Sequence, residues 1–199
     1  MAMRGSKAWR AALLALPLTL AGCVNLGGGK VPPLLMTLTA DSTAAAGAAQ
    51  SGKITDAVVV AEPETDRRLS AQRVPVQVDE ASVAYLQKAM WVERPTRLFQ
   101  GLLAETLRAK SGRLVFEAGD TDAKGAMRLS GRLVEMGYDA RSRAVVVRFD
   151  ALRDVGGALS TRRFEAVEQG VLPDAASVGP AINRAANKVA ADVAEWVGK

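Results

Sequence analysis

The chain has 199 residues, 49% hydrophobic and only 5% aromatic, so it carries enough Val, Leu and Ala to bury a sizeable core and is not disordered throughout. Its formal charge of +5 falls to +2 once Arg4, Lys7 and Arg10 are set aside with the N-terminal segment they open, which argues against a strongly basic nucleic-acid binder. Histidine is absent and cysteine occurs once, which removes the commonest general base, the usual zinc ligand and any internal disulfide.

The first twenty-two residues read as a leader. Arg4, Lys7 and Arg10 precede an uncharged stretch from Ala11 to Leu20, and Leu20-Ala21-Gly22 then leads into Cys23. Such an apolar core is too short to span a bilayer, which takes about 20 residues. The tetrapeptide resembles the bacterial lipobox, whose cysteine thiol receives a diacylglyceryl group and becomes the new N-terminus. An ordinary secretory leader or a buried cysteine would also place a thiol here, but charge order, apolar length and small cleavage residues agree on lipidation. Residues 1–22 are therefore expected to be a signal peptide, 23–33 a lipidated flexible tether and 34–199 a single domain.

In the tether, Gly27-Gly28-Gly29-Lys30 is followed by Val31-Pro32, so the Gly-Lys-Ser/Thr ending of a phosphate loop is missing. Leu34 to Thr39 is apolar and β-branched enough for a first strand, and Asp41 to Lys53 reads as a surface loop. Ala57 to Ala61 predicts a buried strand. Arg67, Arg68 and Arg73 lie in a polar connector. Val74 to Val78 predicts an edge strand, because Pro75 lacks a ladder amide, and Ser82 to Gln87 predicts another short strand. From Pro95, the residues Leu98, Phe99, Leu102, Leu103, Thr106 and Leu107 recur at helical spacing, with Ser111-Gly112 as the stop. Arg113 to Glu117 returns to strand composition.

Beyond Gly125 the period becomes two. Met127, Leu129, Gly131 and Leu133 share one face, then Val145, Val147, Phe149 and Ala151, then Phe164 and Ala166, with turns at Asp139–Ser142 and Asp154–Gly157; this predicts a three-stranded meander. Pro173-Asp174 ends it, and Ile182, Ala186, Val189, Val193 and Val197 mark the stripe of a long terminal helix, with Trp196 beside it. The expected fold is α+β, a mostly antiparallel sheet with two main helices packed on one face and the other face left to water or a partner.

No chemistry competes with this plain reading. Asp120-Thr121-Asp122 is the nearest carboxylate pair and reads as a turn. Arg141, Arg143, Arg148, Arg153, Arg162 and Arg163 could form a basic patch, but Glu135, Asp150 and Glu165 are interspersed, which predicts an ordinary charged face. No catalytic residue, metal site or cofactor is expected, and the chain is not read as an enzyme.

Val83-Ala84-Tyr85-Leu86-Gln87, Met90-Trp91-Val92-Glu93-Arg94-Pro95 and Leu98-Phe99-Gln100, followed by the meander and the Ala-rich terminal helix, resemble the ABC-type transport auxiliary lipoproteins, including PqiC-like proteins. The resemblance runs from about Leu34 to Trp196, and the leader with Cys23 matches too. It implies a periplasm-facing lipoprotein working with an ABC permease, its ATPase and an MCE-type protein on lipids or other hydrophobic molecules, with no nucleic acid among its partners. Val24 in place of Asp implies sorting to the outer membrane, and the likeness admits a homo-oligomer. Tyr85 and Trp91 stand as candidate partner or lipid contacts, with core packing the stronger reading for both. The other classes considered are a structural or assembly lipoprotein of an outer-membrane complex and a lipid-binding carrier.

Overall fold

The computed structural model describes residues 34–119, 123 and 126–198. The chain order is β1 (Leu34–Met36), a 3-10 turn at Ile54–Asp56, β2 (Val58–Val60), α1 (Arg67–Ser70), β3 (Pro75–Gln77), β4 (Val83–Tyr85), β5 (Ala89–Trp91), α2 (Pro95–Lys110), β6 (Val115–Glu117), β7 (Met127–Asp139), β8 (Ala144–Val155), β9 (Ala158–Glu168) and α3 (Ala175–Gly198). No helix among the described residues is long and apolar enough to cross a membrane.

The long elements form where periodicity places them. In α2, Phe99, Leu102, Leu103, Thr106 and Leu107 are buried. Pro95 opens the helix, where its missing amide would be unpaired anyway. In α3, Ile182, Ala186, Val189, Val193 and Val197 are buried; Asp174 starts it, its Oδ1 accepting from the Ser177 amide at 2.9 Å. The two helices pack on each other, α2 against β2 and β6, and α3 against β7, β8 and β9. Between them and the sheet lie Phe99 and Phe149, edge to face at 5.3 Å between ring centroids.

The class is α+β, but the sheet is mixed and not mostly antiparallel. Of the seven strand pairings among the described residues, β1–β5, β2–β6, β2–β7 and β3–β7 are parallel, and only β3–β4, β7–β8 and β8–β9 are antiparallel. The reason is β7. On one edge it pairs with β8 along nearly its whole length, while its other edge takes β2 at the start and β3 at the end, both brought in parallel by long connections.

Two further expectations are corrected. The strand at Val74–Val78 is not at an edge, since β3 lies between β4 and β7; Pro75 is tolerated because it is the first strand residue and the β7 pairing begins only at Val76. The first strand ends at Met36 and joins β5 in a separate two-stranded ribbon. Beyond it the backbone is taken over by α3: the Thr39 amide donates to Asn183 Oδ1 and the Asp41 amide to Asn187 Oδ1, each at 2.8 Å. The loop that follows is exposed yet tied to α2, through Ala44 N to Glu105 Oε1 and Gln50 Nε2 to the Arg108 carbonyl.

Candidate functional site

With the helices covering one face of the long strands, the other carries the chain's polar organisation. Cross-strand register sets Arg132, Asp150 and Arg163 in one row, and Glu135, Arg148 and Glu165 in the next. Charges therefore alternate in both directions, as favourable cross-strand pairing requires. Arg163 grips Asp150 through two bonds of 2.6 and 2.7 Å, and Arg148 bridges Glu135 at 2.6 Å and Glu165. This is the ordinary charged face that the interspersed acids predict. Two arginines of the conceivable basic patch are engaged with aromatic rings: Arg153 donates to the Trp196 carbonyl at 2.9 Å with its guanidinium 4.7 Å from that ring, and the Arg162 guanidinium sits 5.0 Å from Phe164.

The hydrogen bond from Arg163 holds the Asp150 carboxyl below the usual carboxylate range; burial opposes this, and Arg148 and Arg132 add Coulombic pull. A depressed folded-state pKa contributes stability that is present above the unfolded value, about 3.9, and is lost as pH falls through the lower folded value. The Asp150 side chain is 39% exposed, so screening limits the contribution to a few tenths of a kcal/mol. Asp150→Asn is accordingly expected to lower the urea midpoint slightly at pH 7 and to show a smaller deficit at pH 3, which lies below the unfolded value; an equal deficit at both pH values would show that the ion pair is not the cause.

Beside these rows is an open groove of about 890 Å³, floored by Ala61, Gly131, Ala151 and Leu152 and rimmed by Arg128, Arg132, Arg162, Glu62 and Glu64. Glu62 is fixed by Thr96 Oγ1, which donates at 2.5 Å, and by Arg94 at 3.3 Å, so the start of α2 positions one wall. The floor depends on Gly131. A Cβ there would lie 2.1 Å from the Asp150 carbonyl oxygen, and its φ is +145°. Gly131→Ala must push β7 from β8 and is expected to cost about 2–4 kcal/mol, whereas Gly156→Ala, at positive φ in open space, costs about 1 kcal/mol; chemical denaturation of both variants checks the difference. A groove with both signs of charge and no cysteine or histidine is equipped to recognise a polar surface or an extended segment.

Of the two candidate aromatics, Tyr85 is half-buried at β4 with the Arg73 guanidinium 4.6 Å from its ring. Trp91 is 1% exposed and its indole N–H has no acceptor among the described residues. The two residues thus sit on different strands with different accessibility. Leu20, Ala21, Gly22 and Cys23 lie outside the described residues, as do the remainder of the leader and tether predicted from the sequence and Asp120-Thr121-Asp122. Among the described residues no group of three or more His, Cys, Asp or Glu side chains is placed to hold a metal ion. Sequence reasoning missed the groove, because Glu62, Gly131 and Arg162 converge from three separated segments; the one local signal was a glycine inside an alternating strand.

Comparison with solved structures identifies the fold. A Xanthomonas campestris protein of the family DUF330 superposes with a TM-score of 0.67 at 17% identity, covering 82% of this chain and 93% of that one. An uncharacterised protein of known crystal structure gives 0.63 at 14% identity, covering 75% and 96%. A PelC dodecamer from Paraburkholderia phytofirmans reaches only 0.42 at 17% identity, covering 70% and 88%. No curated protein matches the sequence. The model of the family described as ABC-type transport auxiliary lipoprotein component matches residues 37–194, more than half of the chain. The chain therefore belongs to the ABC-type transport auxiliary lipoprotein family.

Proposed function

We propose that the chain is a non-catalytic auxiliary lipoprotein, anchored by an acylated Cys23 to the periplasmic face of the outer membrane, that serves an ABC transporter and an MCE-type protein in moving lipids or other hydrophobic molecules. The family match over residues 37–194 carries this reading, since membership defines an auxiliary role in transport. Leu20-Ala21-Gly22-Cys23 supplies the anchor, Val24 favours sorting to the outer membrane, residues 1–22 are the leader and residues 23–33 the tether. The absence of histidine and the use of the single cysteine for acylation support a non-catalytic role.

The open, charged groove favours docking over carriage. A lipid carrier needs an enclosed apolar pocket of several hundred Å³, whereas this groove is rimmed by arginine and glutamate side chains. Tyr85 is the aromatic that a partner can reach, while Trp91 serves packing. Purification of the lipidated chain from crosslinked native membranes tests the proposal. Recovery of a permease, its ATPase and an MCE-type protein is expected; recovery of outer-membrane assembly proteins without a permease would replace transport with a scaffold role.

A further inference from the structure

The β1–β5 ribbon has two unlike faces. Register pairs Leu34 with Ala89, Leu35 with Met90 and Met36 with Trp91, and the Val92 amide extends the ladder to the Met36 carbonyl at 2.9 Å. Met36, Ala89 and Trp91 point into the core. Leu35, Met90 and Val92 alternate to the other side, where they are 63%, 37% and 49% exposed, and Leu34 at the ribbon's start is 48% exposed. The two strands together with Val92 contain no charged residue, in contrast to the rows of ion pairs on the outer face of β7–β9. The three large apolar side chains Leu35, Met90 and Val92, left exposed on one face, mark a contact surface.

The chain's own layout says what that surface meets. Leu34 follows Cys23 by eleven residues, a length that cannot reach beyond about 40 Å even fully extended. If Cys23 is acylated, as proposed above, the ribbon is held permanently within that distance of the bilayer, at an effective concentration that favours even a weak apolar contact. We propose that the outer face of the β1–β5 ribbon, through Leu35, Met90 and Val92, rests in the lipid headgroup–acyl boundary as a second membrane contact. It fixes the orientation of the domain, so that the acyl anchor supplies retention and the ribbon supplies the angle at which the groove is presented. The contact is superficial: its strands are three residues long, far short of the 9–11 residues of a spanning strand.

The test uses the single-cysteine sequence. In the lipidated full chain Cys23 has no free thiol, so Leu35→Cys provides the one site for an environment-sensitive fluorophore, and Leu159→Cys at the start of β9 provides the comparison. In vesicles of phosphatidylethanolamine and phosphatidylglycerol, the label at 35 is expected to shift to shorter wavelength and to be quenched by nitroxide-bearing lipids, while the label at 159 stays water-like. Adding Met90→Asp is expected to return the label at 35 to water-like emission. A water-like label at 35, an equal shift at 159, or a shift indifferent to Met90→Asp overturns the contact. Flotation of the same vesicles reads the anchor separately: protein that floats with a water-like label overturns the contact alone, and protein that does not float overturns the anchor and the contact with it.

Discussion

Leu103→Asp is expected to leave the domain unfolded at neutral pH. Leu103 is buried in the middle of α2 within the same apolar cluster as Leu129, Leu133, Phe149 and Ile182. Truncating a buried leucine costs about 2–5 kcal/mol in transfer and cavity terms. The introduced carboxylate adds to this: either it ionises without a partner, at several kcal/mol, or it stays protonated, at about 4 kcal/mol at pH 7, set by the distance of that pH above its unfolded pKa. The sum, about 6–9 kcal/mol, is comparable to the total stability of about 5–15 kcal/mol usual for a domain. Leu103→Met keeps volume and polarity and should cost less than about 1.5 kcal/mol. Far-ultraviolet circular dichroism and thermal melting decide the matter; a wild-type melting curve for Leu103→Asp would mean that this face of α2 does not meet the sheet.

That prediction can be made from the sequence because α2 is long enough to display its period. The same holds for α3 and for the β7–β9 meander, whose alternation from Met127 to Ala166 follows which side chains are buried. Three-residue strands have no period to read. The parallel insertion of β2, the central position of β3 and the β1–β5 ribbon are decided by distant partners, and Pro75 pointed to an edge because its place at the first ladder position is visible only once the ladder exists. The shift in register between Leu133 and Glu135 has the same origin: beyond it, inward positions move from odd to even residues, so that Met136 and Tyr138 are buried. Tyr138 then donates its hydroxyl to the Val171 carbonyl at 2.9 Å, a use for the phenol that strand periodicity alone does not suggest. The candidate site divides similarly. The alternating charges that quench the basic patch are legible along each strand, while the groove exists only where the Glu62–Glu64 segment runs alongside β7.

Cys23→Ser is expected to abolish outer-membrane retention while leaving the domain's melting temperature unchanged. In the proposed anchor the Cys23 sulfur takes the diacylglyceryl group; a serine hydroxyl, far weaker as a nucleophile at neutral pH, is expected to leave the leader uncleaved and the chain without acyl groups. Each acyl methylene contributes about 0.8 kcal/mol to membrane binding, and two or more chains are needed for stable anchoring, so the loss is large even with an apolar ribbon still present. The retained leader is no substitute, because Ala11 to Leu20 is half the length a span requires. Mass spectrometry should find a precursor heavier by residues 1–22 and lacking the lipid, and fractionation should find it outside the outer membrane. Wild-type partitioning of this variant would remove the anchor from the argument. Paired with Leu103→Asp the result separates two requirements, since one variant keeps its lipid and loses its fold while the other keeps its fold and loses its membrane. If transport needs a folded groove presented at a bilayer, both must fail, and supplying the unlipidated Cys23→Ser precursor in excess must not restore activity.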